Sequence, residues 1–342
     1  MLYNLSLNDA TVVVPGAANP AGINTIRSLK MAGFKGKTVA TDSSRLAAGF
    51  FIASSYEVMP RVIEEEKYAD KLSALIKKYD VDVLMPSSGY DIWPYSKYKQ
   101  ELEELGATAV VSDPECLETC YDRMLTFQAL CDKFGELLPF TTTAFEEIDR
   151  FPMFAKPRRE KGGTYSAIIY DRADLNYLFL KFKDKIEKKE MIFQEYLPGT
   201  EYTIDVLCDL NRQPLIAVPR IRLETTGGIS TRGKVLRNPD IEKLCMGVAG
   251  LIGIRGPCCI QMKESSTGIP KITEINPRLG GGTIFSALAG ANFPDMILKM
   301  VKGERVPAPK ISEITVVRYF EEIVVPDNDS PKSNNDQCSR TK

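Results

Sequence analysis

The stretch EINPRLGGG at residues 274–282 holds a carboxylate and an amide two positions apart, then Pro-Arg, then three consecutive glycines. Its neighbours set the geometry. PCCIQMKE at 257–264 and KITEIN at 271–276 are β-prone, and the turn-rich cluster at 265–270 lies between them, so the spacing predicts a hairpin. Side chains alternate along a strand, which places Glu274 and Asn276 on one face. Pairing Glu264 with Lys271, a favourable cross-strand charge pair, sets Gln261 opposite Glu274. That face then carries Gln261, Glu274 and Asn276, while Ile260, Met262 and Ile275 turn to a core. Oxygen donors without Cys or His suit a hard cation, and magnesium is held by one or two carboxylates plus substrate phosphates. The plainer alternative, a solvated strand edge, leaves the Pro-Arg and the triple glycine without a use.

The chain has no histidine at all, which removes Ser-His and Cys-His nucleophiles and the commonest general base. Chemistry must rest on carboxylates, Lys, Arg, backbone amides or a metal. At 342 residues, two or three lobes are expected. A net charge of −1 gives no electrostatic case for nucleic acid or an anionic membrane. No run approaches the ~20 apolar residues of a membrane span, and the N-terminus has no signal-peptide pattern. Eight cysteines at 116, 120, 131, 208, 245, 258, 259 and 338 show no zinc or redox spacing. Reduced thiols and a cytoplasmic location are the expectation.

Strands alternating with helices precede this edge and position it. TVVVPGAANPAGINTIRSLKMAG (11–33) is strand, glycine turn and helix, with Asn19 as a cap. A strand at 37–42 ends in Asp42; a helix near 64–79, a strand at 81–87, a helix at 97–106 and a strand at 107–113 follow. This alternation argues for a parallel doubly wound sheet. Residues 113–135 hold one or two helices, 151–171 two strands around a Gly-rich loop, and 172–189 an amphipathic helix. Strand, turn, strand is expected at 191–209, then hairpins to 276 with a helix near 239–252, and helix, Pro break, helix at 283–304. The polar end at 326–342 reads as disordered.

Four further stretches bear on function. GAANPAG at 16–22 with Asp42 suggests a nicotinamide-dependent oxidoreductase, but the glycines are not spaced GxGxxG, and a tight strand-helix turn needs glycine anyway. AKPRREKGGTYS (155–166) offers Lys156 and a glycine tip that suit phosphate, or is an exposed basic hairpin. QEYLPGTEYTID (194–205) places Glu195 and Leu197 where a strand ends, beside a backbone edge that suits a purine, and Glu201 where a carboxylate suits ribose; it is otherwise an ordinary hairpin. IRLETTGGISTRGK (221–234), with Arg220, Arg222 and Arg232 nearby, is an anion-binding or a mobile surface loop.

Taken in order, an α/β domain, Arg123 in YDR, the Lys strand with its Gly loop, QEYLPGTEYTID and Gln…Glu-Ile-Asn-Pro-Arg resemble the ATP-grasp superfamily, especially the carbamoyl-phosphate-synthetase-like ligases. The resemblance covers nearly all of 10–305, and EINPR with its upstream Gln carries most of it. It implies a doubly wound PreATP-grasp domain at 1–112 that shapes the substrate site, and linker helices with a small α+β lid at 113–195. An antiparallel C-terminal lobe at 196–325 follows, then the tail at 326–342. It implies ATP phosphates at Arg123 and Lys156, a lid loop at Gly162 and Gly163, adenine between Glu195 and Leu197, and ribose on Glu201. Magnesium falls to Gln261, Glu274 and Asn276. Arg278 and Lys156 become the catalytic groups, with Arg220, Arg222, Arg278 and Gly281 toward substrate.

Many family members have Lys at the Arg123 position, and some carry a His in the loop near 224–232; this chain has Arg and no His. No carrier domain or glutaminase is attached, so a free-standing ligase is expected, joining a small-molecule carboxylate to an amine or ammonia through an acyl phosphate. A homodimer is compatible with this, and a non-catalytic ATP-binding regulatory protein is the remaining alternative.

Overall fold

The computed structural model describes residues 9–159 and 165–325. Five parallel strands, β1 (Thr11–Pro15), β2 (Lys37–Asp42), β3 (Ser55–Val58), β4 (Val83–Leu84) and β5 (Thr108–Ala109), form the first sheet in the order β3-β2-β1-β4-β5. The order reverses on either side of β1, which pairs with both β2 and β4. Helices α1 (Pro20–Met31), α2 (Glu65–Tyr79), α3 (Ile92–Lys97) and α4 (Lys99–Glu104) connect these strands. All of β1 is buried, as an apolar run in a sheet covered on both faces should be. Asn19 takes the cap position of α1 but makes no side-chain cap bond.

Two helices, α5 (Pro114–Tyr121) and α6 (Arg123–Phe134), lead to a four-stranded antiparallel sheet. Its strands are β6 (Thr141–Thr142), β7 (Met153–Pro157), β8 (Ala167–Ile169) and β9 (Met191–Glu195), in the order β6-β9-β7-β8, with helix α7 (Arg172–Glu187) between β8 and β9. This unit has its own small core of Ile148, Met153, Leu175, Leu178 and Phe193. Gly162 and Gly163 lie outside the described residues.

The rest builds a six-stranded antiparallel sheet: β10 (Glu201–Cys208), β11 (Pro214–Thr226), β12 (Ile229–Val235), β13 (Pro257–Glu264), β14 (Pro270–Asn276) and β15 (Ile314–Val317), ordered β14-β13-β10-β11-β12-β15. Helix α8 (Pro239–Ile252) packs on it, and α9 (Thr283–Leu288) and α10 (Phe293–Val301) follow the glycines. A core joining Val12, Ile26 and Leu29 of the first sheet region to Phe285, Phe293 and Ile297 welds the two large sheets together. The small sheet is packed separately.

Two differences from the sequence reading matter for the site. First, β9 and β10 are not partners: β9 pairs with β6 and β7, and β10 with β11 and β13. Pro198 and Gly199 therefore carry the chain between sheets rather than around a hairpin. Gly199 is required there, since a Cβ would stand 2.6 Å from Glu264 Cβ. Second, Glu264 aligns with Pro270 and Lys271 with Lys263, so the expected Glu264–Lys271 pair does not form. The register then shifts between Gln261 and Met262, leaving Thr273 as an extra residue on β14. That bulge restores Gln261 opposite Glu274. The polar face survives for a reason the alternation alone did not supply.

Candidate active site

The site begins at the junction of α5 and α6. Asp122 is fully buried and caps α6, its carboxylate accepting from the amides of Met124 at 2.9 Å and Leu125 at 3.2 Å. The same carboxylate accepts from Arg158 Nε at 2.6 Å and Arg159 Nε at 2.9 Å, just past β7. Burial disfavours its charge, but Arg158 and the amides hold the carboxyl below its ordinary range. One acid thus ties the first turn of α6 to the end of β7. Sequence reading passed over Asp122, Arg158 and Arg159. The available signal was an Asp directly before a helical pattern.

Arg123, next in line, donates to the Pro157 carbonyl at 2.9 Å and to Glu274 Oε2 at 3.2 Å. It bridges the small sheet and β14. Glu274 Oε1 accepts from Asn276 Nδ2 at 3.1 Å, and Asn276 Oδ1 accepts from Arg278 Nη2 at 3.4 Å. Lys156 Nζ reaches the Thr273 carbonyl, exposed by the bulge, at 3.3 Å. The structure therefore brings Arg123, Lys156, Glu274, Asn276 and Arg278 together, with Gln261 across the ladder from Glu274.

The electrostatics of this cluster are unsettled. Burial pushes the Lys156 ammonium down to about 7, helped by the like charge of Arg123 and opposed by Glu274. Burial also works against the Glu274 carboxylate, yet Arg123 and Lys156, with the Asn276 amide, hold it below the ordinary range. A single carboxylate flanked by amide oxygens fits a magnesium ion that shares its shell with phosphates. Among the described residues no group of three or more His, Cys, Asp or Glu side chains offers a self-sufficient metal cage.

The remaining residues fall into two further groups. Glu195 accepts from Lys271 Nζ at 2.6 Å, and Leu197 is buried beside it. Glu201 pairs with Arg222, whose Nη2 also donates to the Gly228 carbonyl at 2.6 Å. The acid read for ribose and an arginine read for substrate are thus partners of one another. Arg220 corrects its reading more sharply. It is 2% exposed, and its Nε and Nη2 donate to Asp205 at 2.8 and 2.9 Å. It faces the interior, packed beneath Gly282, and not an open substrate pocket. Gly281 lies at the edge of the site, its carbonyl accepting from Asn24 Nδ2 at 2.8 Å and from Arg318.

At the first βα turn, Asp42 accepts from the amides of Ala18 and Ser44, both at 2.8 Å. A Cβ on Gly22 would meet the Gly16 carbonyl at 2.3 Å. The turn itself accounts for both the acid and the glycine that suggested a dinucleotide.

Known proteins resemble this chain over both of its large regions. Residues 187–323, which contain the Glu274 edge, match the family "ATP-grasp in the biosynthetic pathway with Ter operon", and residues 22–110 match the PylC-like N-terminal domain. The chain thus carries an ATP-grasp domain at 187–323 behind a PylC-like N-terminal domain at 22–110. The chain is 23% identical over 294 residues to the carbamoyl phosphate synthase large chain of Methanobrevibacter smithii, covering 79% of the chain and 27% of that protein. It is 22% identical over 291 residues to the corresponding protein of Rhodopirellula baltica, covering 79% and 26%. It thus spans about a quarter of the length of the curated relatives it matches. Among solved structures, biotin carboxylase from Campylobacter jejuni superposes with a TM-score of 0.69 at 13% identity, covering 89% of this chain and 73% of that one. N5-carboxyaminoimidazole synthetase from Staphylococcus aureus gives 0.67 at 17%, covering 90% and 81%. L-amino acid ligase from Bacillus licheniformis gives 0.60 at 14%, covering 87% and 75%.

Among the described residues no helix is long and apolar enough to cross a membrane.

Proposed function

We propose that this ATP-grasp chain is an ATP-dependent, ADP-forming ligase that joins a carboxylate to an amine or ammonia. The observation that carries the reading is the Arg123–Glu274–Asn276–Arg278 chain of contacts, with Lys156 beside it, spanning the small sheet and β14. A carboxylate is a poor electrophile; transfer of the ATP γ-phosphate to it gives an acyl phosphate, which an amine attacks with release of phosphate. Phosphoryl transfer asks a protein mainly for positioning and charge neutralisation, so a histidine-free site suffices.

In this reading Lys156 and Arg123 neutralise the polyphosphate, and Arg278 holds the substrate carboxylate against the γ-phosphate. Glu195 and Leu197 flank adenine, and Glu201 binds ribose. Magnesium, when bound, would neutralise the polyphosphate and orient it, held by Glu274 and Asn276 with Gln261 opposite. Arg123 must yield part of its hold on Glu274 when phosphates arrive. Arg220 is reassigned from substrate contact to support of the Gly280–Gly282 turn. We place the functional division of the chain at residues 112, 195 and 325, in a cytoplasmic enzyme, with homodimerisation open to measurement.

Relatives of this shape carry names such as L-amino acid ligase and N5-carboxyaminoimidazole synthetase, which supports ligation as the class of chemistry. The test is ADP release from magnesium-ATP with pools of carboxylates and amines, wild type against Glu274→Ala. Turnover that depends on one pool and is lost in the variant supports the reading. Absence of nucleotide binding sinks it.

A further inference from the structure

Two spaces flank the loop at 88–91, and the roomier of them is not at Glu274. A space of about 30 Å³ lies there, lined by Gly89, Trp93, Tyr121, Arg123, Asn276 and Arg278 among others. A crevice of about 440 Å³ opens on the other side of the same loop, lined by Gly16, Asp42, Arg61, Ser88, Tyr90 and Asp91, with Met59, Val62 and Ile63 as its apolar wall. It sits at the carboxyl ends of β1, β2 and β4, where the strand order reverses and the loops part to leave a cleft.

Three features define what fits it. Asp91 accepts from the Tyr68 hydroxyl and lies by the Ser88 hydroxyl, while Asp42 adds a second negative charge across the crevice. Burial and the Asp42 charge raise the Asp91 carboxyl above its ordinary value, the signature of an acid short of positive charge. Arg61 is the one cation in the lining. The rim carries large apolar surface: Ile63 is 89% exposed and Tyr90 64%, where the hydrophobic effect favours a covering ligand. Lastly, Ser88, Tyr90 and Asp91 face the crevice while Gly89, between them, lines the cavity at Arg278. The 88–91 loop thus borders both spaces, and Gly89 presents no side chain to either.

We propose that this crevice binds an organic co-substrate bearing an ammonium group, with that group at Asp91, its carbon chain along Met59, Val62 and Ile63, and its reacting end directed past Gly89 toward Arg278. A co-substrate role rests on the ligase reading; the binding itself does not. A divalent metal does not suit the crevice, because no third acid stands with Asp42 and Asp91. A dinucleotide does not suit it either, because Asp42 is engaged by the turn amides.

The experiment is calorimetric titration of the full chain with 1,5-diaminopentane, with pentane-1,5-diol as the uncharged match, in wild type, Asp91→Asn and Ser43→Trp. Asparagine can still accept from Tyr68, so the fold is retained, and the indole at position 43 fills the crevice from an exposed loop. The diamine should bind wild type and the diol should not. Asp91→Asn should weaken diamine binding about tenfold or more, and Ser43→Trp should abolish it, with ATP affinity unchanged in both. Equal binding of diol and diamine, diamine binding indifferent to both substitutions, or displacement of the diamine by NADH overturns the proposal. ADP formation is read in parallel. Asp91-dependent binding without ADP formation from any carboxylate pool upholds the crevice and counts against the ligase. Amine-dependent ADP formation that Ser43→Trp leaves untouched does the reverse.

Discussion

Two polar networks lie close together in this molecule and are built to opposite ends. Around Asp205, Arg220 donates twice, Ser286 Oγ donates at 2.6 Å, Thr283 Oγ1 stands at 3.4 Å and the Cys259 thiol at 3.2 Å. Asp205, Arg220, Thr283, Ser286 and Cys259 are all buried. Around Glu274, two cations crowd one carboxylate, the lysine is held near neutrality, and the carboxylate side chain is 26% exposed. The first network satisfies its charges internally and fixes the glycine turn above it. The second holds more positive charge than its acid can balance, which suits it to a polyanion that arrives and leaves.

If this contrast holds, removing the acid from each network must have different consequences. Asp205→Ala strands Arg220 in the interior and should destabilise the fold by about 3–5 kcal/mol, measured by urea denaturation. Replacing the pair together, Asp205→Leu with Arg220→Met, should recover much of that loss, since matched apolar groups bury without penalty. Glu274→Ala should instead leave unfolding within about 1–2 kcal/mol of wild type while lowering ADP formation about 10²–10³-fold. A variant of Glu274 that unfolds, or a variant of Asp205 that folds normally and only loses turnover, would erase the distinction.

The contrast also separates what the sequence makes legible from what it does not. Glu274, Asn276 and Gln261 were found by alternation and by the turn residues between 264 and 271, because a hairpin is local and its period is two. The inference reached the right face through a wrong pairing, since nothing in KITEIN announces that Thr273 is a bulge. Strand β2 is legible at its observed limits, 37–42, and β1 at the head of 11–33, both being apolar runs ended by turn residues. Strand β3, SYEV, is only partly buried at the sheet edge and left no such run. The separation of β9 from β10 was invisible, because Pro-Gly signals a change of direction and not which sheet comes next. Arg220 was misread for the same reason: its partner lies across the β10–β11 ladder, and a buried ion pair and a substrate-binding arginine look alike in one dimension.

The glycine turn sits between the two networks and offers a finer break. A Cβ on Gly282 would lie 2.4 Å from Arg220 Nη1, whereas one on Gly281 would come no nearer than 3.3 Å to a neighbour, Pro20 Cβ. The Gly282 backbone has φ −98, so the penalty is contact and not conformation. Gly282→Ala should therefore destabilise by about 1–3 kcal/mol and Gly281→Ala by less than about 1 kcal/mol, in the same denaturation assay. If Gly281→Ala nonetheless lowers turnover with substrate saturating, the turn faces the reaction as well as the core.

The last effect expected is a protonic one, and it belongs to the second network. The folded Lys156 titrates at about 7 against an ordinary 10.5. Between those values the unfolded chain binds the proton and the folded chain does not, so this group's contribution to stability rises with pH across the window. Phosphate favours the charged ammonium, so nucleotide binding above pH 7 must draw in a proton, and affinity should fall by up to about tenfold per pH unit. Calorimetry of ATP binding near pH 8.5 in buffers of differing ionisation enthalpy reads the uptake directly, at up to about one proton per nucleotide. Lys156→Met should abolish the uptake and flatten the pH dependence, while Arg220→Lys should leave the uptake intact because Arg220 meets no phosphate. Proton uptake that survives in Lys156→Met would move the titrating group elsewhere and take away the main electrostatic mark that sets the Glu274 cluster apart from the Asp205 one.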